Sequence, residues 1–125
     1  MKELSTSNLK KKAIRIFHEY IRKRDEGQPC ISCSKYRELQ AGHYYSAGKF
    51  ERLRFDPRNV NGQCKSCNYF MSGNLIEYRK NLIKKIGNEE VEKLDLVAAN
   101  RKPFKSDRFF YEQVIKDYSH KLKQL

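Results

Sequence analysis

The chain has 125 residues, of which 38% are hydrophobic and 34% are charged, so we expect one domain with a small core. Its net charge of +12 favours nucleic acid as the partner over a merely solubilising role. The sequence contains no apolar run near the ~20 residues that span a bilayer, which excludes a membrane-spanning helix. Because the chain begins Met1-Lys2-Glu3 without a secretory signal, we expect it in the cytoplasm.

The first predicted element is an amphipathic helix over residues 7–26. Ser7 is its expected N-cap, and Gly27 followed by Pro29 ends it. His18 lies off the apolar stripe, so we assign it no role. The basic side chains on the other faces either contact DNA or are solvated. The apolar residues that recur on one face are Leu9, Ala13, Ile16, Phe17, Tyr20 and Ile21.

Two pairs of cysteines, each separated by two residues, flank the middle of the chain. They are Cys30 with Cys33 and Cys64 with Cys67, and they are all the cysteines that the sequence contains. This spacing is typical of metal-binding knuckles, and two knuckles supply the four thiolates of a tetrahedral structural Zn²⁺ site. Two disulfides or four unrelated thiols are the alternatives, and the expected reducing compartment disfavours disulfides.

The thirty residues at positions 34–63 lie between the knuckles, enough for a β-hairpin before a helix. Ala41–Tyr45 is the expected first strand and Leu53-Arg54-Phe55 the returning one. A helix is expected to start within Cys64–Asn68 and to run to about Met71. The sequence therefore predicts an α+β fold in which residues 28–72 form a zinc-stapled treble clef, flanked by N- and C-terminal helices.

Further helices are predicted over residues 74–100 and 106–125. Asn74 with Glu77 forms a capping-box pattern, and Gly87 divides the first of these ranges into two helices. The final helix carries an apolar stripe that packs on the first helix or on a second subunit. The residues of that stripe are Tyr111, Ile115, Tyr118, Leu122 and Leu125.

Within residues 28–72, the order His43, Asn59, Asn68 resembles the pattern of the HNH, or ββα-metal, nuclease family. The resemblance implies that His43 is the general base, that Asn59 orients the strand bearing it, and that Asn68 ligates a catalytic divalent metal. Asn68 directly after Cys67 is also similar to the phage resolvase endonuclease VII. Taken singly, each of these residues has an ordinary structural explanation, as a histidine near a knuckle, a turn residue and a helix cap.

A longer series of motifs resembles the lambdoid-phage NinG (Rap) recombination proteins, over about residues 13–95. It runs through Cys-Ile-Ser-Cys, Ala-Gly-His-Tyr, Leu-Arg-Phe-Asp-x-Arg-Asn, Gln-Cys-x-x-Cys-Asn and Ser-Gly-Asn-Leu. This likeness implies a phage or prophage protein in a bacterial host. It also implies a structure-directed endonuclease acting on branched DNA, such as Holliday junctions and D-loops.

The residue chemistry is compatible with phosphodiester hydrolysis. A neutral imidazole accepts a proton from water near pH 7, and a carboxamide oxygen is a suitable ligand for Mg²⁺ or Mn²⁺. We therefore expect the His43 ring to face Asn68 across the substrate phosphate. The candidate phosphate-binding residues are Arg52, Arg54, Arg58 and Arg79.

One position departs from the HNH pattern, because many family members place a metal-binding Asp directly before the base and this chain has Gly42. Asp56, Glu51, water or His43 itself are the candidate substitutes. Two other functions remain open: a zinc module that only binds DNA, and an HNH nuclease for linear duplex. Because resolving a junction takes two symmetric cuts, a homodimer is also expected, with the first and last helices as its candidate interface.

Overall fold

The computed structural model describes residues 3–125, in which helices surround one two-stranded antiparallel sheet. This confirms the α+β class. Within the described residues, no helix has both the length and the apolarity needed to cross a bilayer. The elements are α1 (Thr6–Arg24), β1 (Leu39–His43), a 3-10 turn (Glu51–Leu53), β2 (Val60–Cys64), a π-helical turn (Ser66–Phe70), α2 (Leu75–Ile86), α3 (Asn88–Ala99) and α4 (Arg108–Lys123).

Helices α1 and α4 pack their apolar stripes against each other and against β2. The N-cap of α1 is Ser5, whose hydroxyl accepts from the backbone N–H of Asn8, and not Ser7. The stripe of α4 thus packs on the first helix of the same chain, and a homodimer formed through these two helices stays a prediction. The buried side chains of this core are Leu9, Ala13, Ile16, Phe17, Ile21, Val60, Tyr111, Val114 and Tyr118.

The two strands pair with His43 opposite Val60 and Leu39 opposite Cys64. The prediction that Leu53–Phe55 forms the returning strand is wrong. Leu53 instead ends the 3-10 turn and is buried against α2 and α3, and the returning strand is Val60–Cys64. The alternation of apolar and charged residues at positions 53–55 therefore reflects the packing of a turn and not the pairing of a strand.

Strand β2 is buried along its whole length although its sequence is largely polar. Asp25, at the end of α1, explains part of this, because its carboxylate accepts from the Gly62 backbone, from Arg24 and from Lys85. Burial alone would raise the pKa of Asp25, but the hydrogen bond and charge of Arg24 outweigh it and hold this pKa below its usual value. The charged network therefore fastens α1 to the strand that leads into the second knuckle.

A second core joins α2 and α3 to the loop between the strands. Gly87, at φ +92°, ends α2 as predicted, because an L side chain rarely adopts that conformation. The predicted capping box at Asn74 is wrong, since Asn74 is left-handed and its side chain donates to Cys67 Sγ instead of capping α2. The buried residues of this core are Ile31, Leu53, Tyr78, Leu82, Val91, Leu94 and Ala98.

Candidate active site and metal centre

The four cysteines converge into one cluster, which we call the cysteine cluster (Cys30, Cys33, Cys64 and Cys67). Their sulfur atoms all lie within 4.8 Å of one another, and all four thiols are free. The Cys33 and Cys64 sulfurs are 3.8 Å apart, which matches the edge of about 3.8 Å expected for a tetrahedron with Zn–S bonds of about 2.3 Å. The cluster is therefore compatible with a structural zinc ion.

Backbone groups favour the thiolate form of Cys30, the form of cysteine that binds metal, whereas burial raises the pKa of Cys33 and of Cys67. The N–H groups of Ser32, Cys33 and Cys64 all point at Cys30 Sγ, at 3.3–3.5 Å. Burial opposes ionisation of Cys30, but these hydrogen bonds outweigh it and lower its pKa to about 7. The first knuckle and the end of β2 thus prepare one sulfur for a cation.

His43 is the last residue of β1 and is half-buried. Its Nε2 lies 3.0 Å from the backbone carbonyl of Arg54, an acceptor, so Nε2 carries the proton and Nδ1 is the basic nitrogen of the neutral ring. Burial lowers the pKa of this imidazole. The hydrogen bond to the Arg54 carbonyl opposes that effect and the positive charge of Arg54 adds to it, so that the pKa lies below its usual value. His43 is therefore a neutral, oriented imidazole at neutral pH.

A second histidine lies beside the first. The rings of His18 and His43 are 5.8 Å apart between centroids, and burial together with the charge of His43 lowers the pKa of His18 to about 4. His18 lies off the apolar stripe of α1, and nothing in the sequence signals that β1 passes there, so its role is not predictable from sequence. A neutral His18 adds no positive charge to the surroundings of His43.

Asn59 is fully buried and holds the loop that follows His43. Its side-chain oxygen accepts from the Tyr45 N–H at 2.8 Å, and its nitrogen donates to the carbonyls of Tyr45 and Leu53 at 3.0 and 3.2 Å. Leu53 directly precedes Arg54, whose carbonyl orients His43. The carboxamide therefore fixes both ends of the segment that positions the imidazole.

Asn68 lies in the π-helical turn, and its side-chain nitrogen donates to Gln40 Oε1 at 3.0 Å. Successive side chains of a strand point to opposite faces, so Gln40 and His43 leave β1 on different sides. His43 faces α1, where His18 lies, whereas Gln40 faces the π-helical turn. The expectation that the His43 ring faces Asn68 is therefore wrong.

Gly42 is enclosed by Gln63, its diagonal neighbour on β2. A Cβ at position 42 would lie 2.7 Å from Gln63 Cβ and would also meet Gln63 Oε1. The Gln63 nitrogen donates to the Gly73 carbonyl at 2.6 Å, which fixes the amide so that its oxygen points at Gly42. That oxygen is the one buried side-chain polar atom within residues 3–125 that lacks a hydrogen-bond partner. An Asp side chain has no space here.

We expect Gly42→Ala to destabilise the protein by about 1–3 kcal/mol, because its methyl group overpacks against a fully buried side chain. Urea unfolding measures this cost. Gly48→Ala is the matched control, since a Cβ there meets nothing within 4 Å. A Gln63→Ala background should reduce the cost of Gly42→Ala, and equal costs in both backgrounds would contradict this account.

The four arginines proposed for phosphate are engaged within the chain. Arg54 pairs with Glu51, Arg58 with Asp56 and Glu90, and Arg79 with Asp95. Arg52 donates to the Lys102 carbonyl and lies over the Phe104 ring at 5.0 Å. A phosphate would have to displace or share these four carboxylate contacts, so the role of these arginines in binding DNA stays a prediction.

The carboxylates considered as ligands for a second metal are likewise paired with cationic side chains of the chain. Glu51 contacts Arg54 and Lys10, and Asp56 contacts Arg58. Within residues 3–125 the cysteine cluster is the one group of three or more His, Cys, Asp or Glu side chains close enough to hold an ion. The residues around Asn68 therefore do not make a preformed Mg²⁺ or Mn²⁺ site.

Comparison with known proteins identifies the family. The family model described as "Bacteriophage Lambda NinG protein" matches residues 2–125. The chain belongs to the NinG family. The family resemblance noted over residues 13–95 is thus confirmed and extends along nearly the whole chain. No solved structure matches the chain.

The similar NinG proteins come from lambdoid phages. "Protein ninG" of Escherichia phage 933W is 44% identical over 87 residues, which are 68% of this chain and 43% of that protein. "Protein ninG" of Salmonella phage P22 is 37% identical over 117 residues, which are 92% of this chain and 56% of that protein. The chain therefore spans about half the length of the curated NinG proteins that it matches.

Proposed function

We propose that this NinG-family chain is an HNH-type endonuclease that hydrolyses phosphodiester bonds in branched DNA during phage recombination. Holliday junctions and D-loops in the host cytoplasm are the expected substrates. The proposal draws on the family resemblance, on the positive charge of the chain, and above all on the environment of His43.

The ring of His43 carries the proposal. A general base must be neutral at the working pH and held in one tautomer. Burial lowers the pKa of His43, and the Arg54 carbonyl holds the proton on Nε2. Nδ1 is then free to take a proton from the water that attacks phosphorus. Asn59 keeps this geometry by fixing the backbone on both sides, the role that the HNH resemblance implies for it.

The opposite orientation of His43 and Asn68 is compatible with the HNH arrangement. In that family the metal-binding residue directly precedes the base, and two consecutive strand residues also point to opposite faces. Position 42 shares its face with Gln40, which contacts Asn68. The scissile phosphate would therefore approach the end of β1, with His43 on one side and Asn68 on the other.

The catalytic Mg²⁺ or Mn²⁺ of this proposal has one ligand of its own in the chain, the Asn68 side-chain oxygen. Gly42 supplies none, and Gln63 fills the volume that an Asp would need. Such an ion would neutralise charge on the phosphate when bound. The described residues bring no carboxylate to Asn68.

The test is a cleavage assay with four-way junction, flap and linear duplex DNA, with and without Mg²⁺ or Mn²⁺. We expect metal-dependent nicking of the junction at a rate well above that of the duplex. Zinc without Mg²⁺ or Mn²⁺ should not support cleavage. Equal rates on all three DNAs would favour a nuclease for linear duplex, and no cleavage of any DNA would contradict enzymatic activity.

A zinc module that only binds DNA is the second candidate. The absence of a carboxylate beside Asn68 among the described residues favours it. Junction binding in a gel shift, without cleavage under any metal condition, would support this second function. Sedimentation of the same complexes would test the proposed homodimer.

A further inference from the structure

An exposed apolar surface follows the second knuckle. Within residues 3–125, five of the ten large hydrophobic side chains that are exposed lie between positions 69 and 76. A group of exposed apolar side chains close together marks a binding surface more often than single exposed apolar side chains do. We call it the apolar patch, and its members are Tyr69, Phe70, Met71, Leu75 and Ile76.

Two aromatic rings form the outer part of the apolar patch. Tyr69 is 73% exposed and Phe70 is 71% exposed, and their rings meet edge to face at 5.1 Å between centroids. They directly follow Asn68, in the turn whose Cys67 belongs to the cysteine cluster. The backbone beneath them is held, since the Gly73 N–H donates to the Cys67 carbonyl at 2.8 Å. The rings are thus presented to solvent from a fixed platform.

A shallow apolar groove of about 350 Å³ continues the patch along α2. Its lining includes Tyr44, the residue after His43, together with Leu75, Ile76 and Ile83. Arg79 lies at its edge and donates to the Tyr44 hydroxyl at 3.1 Å. The groove therefore offers a flat ring beside a cation, close in the chain to the candidate base.

The charge around the apolar patch decides whether DNA or a second copy of the chain is the partner that binds there. Residues 65–86 have a formal charge of +4, with five cations and the single anion Glu77. Even after Asp25 and Asp95 are counted, which pair with Lys85 and Arg79, +2 remains. Two copies would bring like charges together, whereas a phosphate backbone brings the opposite charge. Exposed aromatic rings beside cations are the usual platform for unstacked bases.

We propose that the apolar patch stacks on bases at the branch point of DNA, with Tyr69 and Phe70 as the stacking rings. This rests on the proposed function for its choice of branched DNA. At a branch point the bases lose a stacking neighbour, and an aromatic side chain replaces it. The patch would then hold the junction open beside the phosphate that approaches the end of β1.

The experiment measures binding to a four-way junction that carries 2-aminopurine at the branch point, without divalent metal so that cutting does not intervene. Stacking on the fluorescent base is reported by its emission, and affinity by titration. We expect Tyr69→Ala/Phe70→Ala to weaken junction binding about 10- to 100-fold and to abolish the emission change. Binding to linear duplex should change less than about twofold, since phosphate contacts carry it.

The matched control is Tyr36→Ala/Phe109→Ala, which removes a tyrosine that is 78% exposed and a phenylalanine that is 72% exposed elsewhere on the surface. It should bind as wild type does. Tyr69→Leu/Phe70→Leu keeps an apolar surface without stacking and should bind as weakly as the alanine pair. Zinc content and thermal melting verify that every variant is folded.

Three results would overturn the inference. In the first, the alanine pair retains wild-type affinity and emission. In the second, it weakens binding to duplex and to junction equally. In the third, sedimentation shows that it breaks a dimer that the leucine pair keeps. Cleavage is measured separately, so the two proposals fail separately. A wild-type chain that stacks on the junction but cuts nothing would leave the inference standing and remove the nuclease.

Discussion

Removal of zinc is expected to unfold the protein. The cysteine cluster joins the loop after α1 to the end of β2 and to the π-helical turn. Besides the cysteines themselves, Leu39 is the hydrophobic side chain that packs there, so a bound metal would take the place of a core. Apparent zinc-binding free energies of about 10–16 kcal/mol equal or exceed the whole stability of a domain, about 5–15 kcal/mol.

Elemental analysis should find one zinc per chain, and a strong chelator should remove the cooperative melting transition, which added zinc restores. Cys64→Ser should act like the chelator. Lys65→Ala is its matched control, because that exposed side chain is the next residue and supplies no ligand. A metal-free chain that melts at the same temperature as the purified protein would contradict the assignment of the cluster to zinc.

The cysteine cluster could be predicted from sequence because its signal is local. A separation of two residues already places two sulfurs around one ion, whatever the rest of the chain does. The helices followed from periodicity for the same reason, and α4 begins close to the predicted boundary, where the Asp107 carboxylate accepts from the Phe110 N–H. Local chemistry gave these elements their positions to within a few residues.

Strand β2 could not be predicted, because the reason for its burial lies elsewhere in the chain. Asn61 and Gln63 look like loop residues, yet they bond to Tyr78 and Ser32, which come from other elements. Position 42 is similar, since the side chain that forbids an Asp comes from the neighbouring strand. Pairing of distant polar groups leaves no periodic pattern in the sequence.

The same distinction holds for the candidate site, where local contacts could be predicted from sequence and distant ones could not. The loop around Asn59 is close in sequence to His43, and the resemblance placed both residues in roles that the hydrogen bonds fit. His18 comes from α1, and Glu90 and Asp95, which pair with Arg58 and Arg79, come from α3. Those contacts depend on how the helices pack, which the motifs do not encode.

His43→Ala is expected to lower the single-turnover rate of junction cleavage by about 10²- to 10⁴-fold, the usual contribution of a general base. Its pH profile gives a second readout. Because burial lowers the pKa of His43, the base form persists as the pH falls, so the acid limb of the wild-type rate should lie below pH 6.5. His120→Ala, which removes an exposed histidine of α4, should leave both rate and profile unchanged.

A structural role for His43 makes a different prediction from a catalytic one. Loss of its hydrogen bond to the Arg54 carbonyl would loosen the loop, and added imidazole would not repair that. If His43 is the base, free imidazole entering the space left by His43→Ala should restore part of the rate, most strongly where the buffer imidazole is neutral. Cleavage by the variant at the wild-type rate, with zinc content and melting unchanged, would assign the proton transfer to another group.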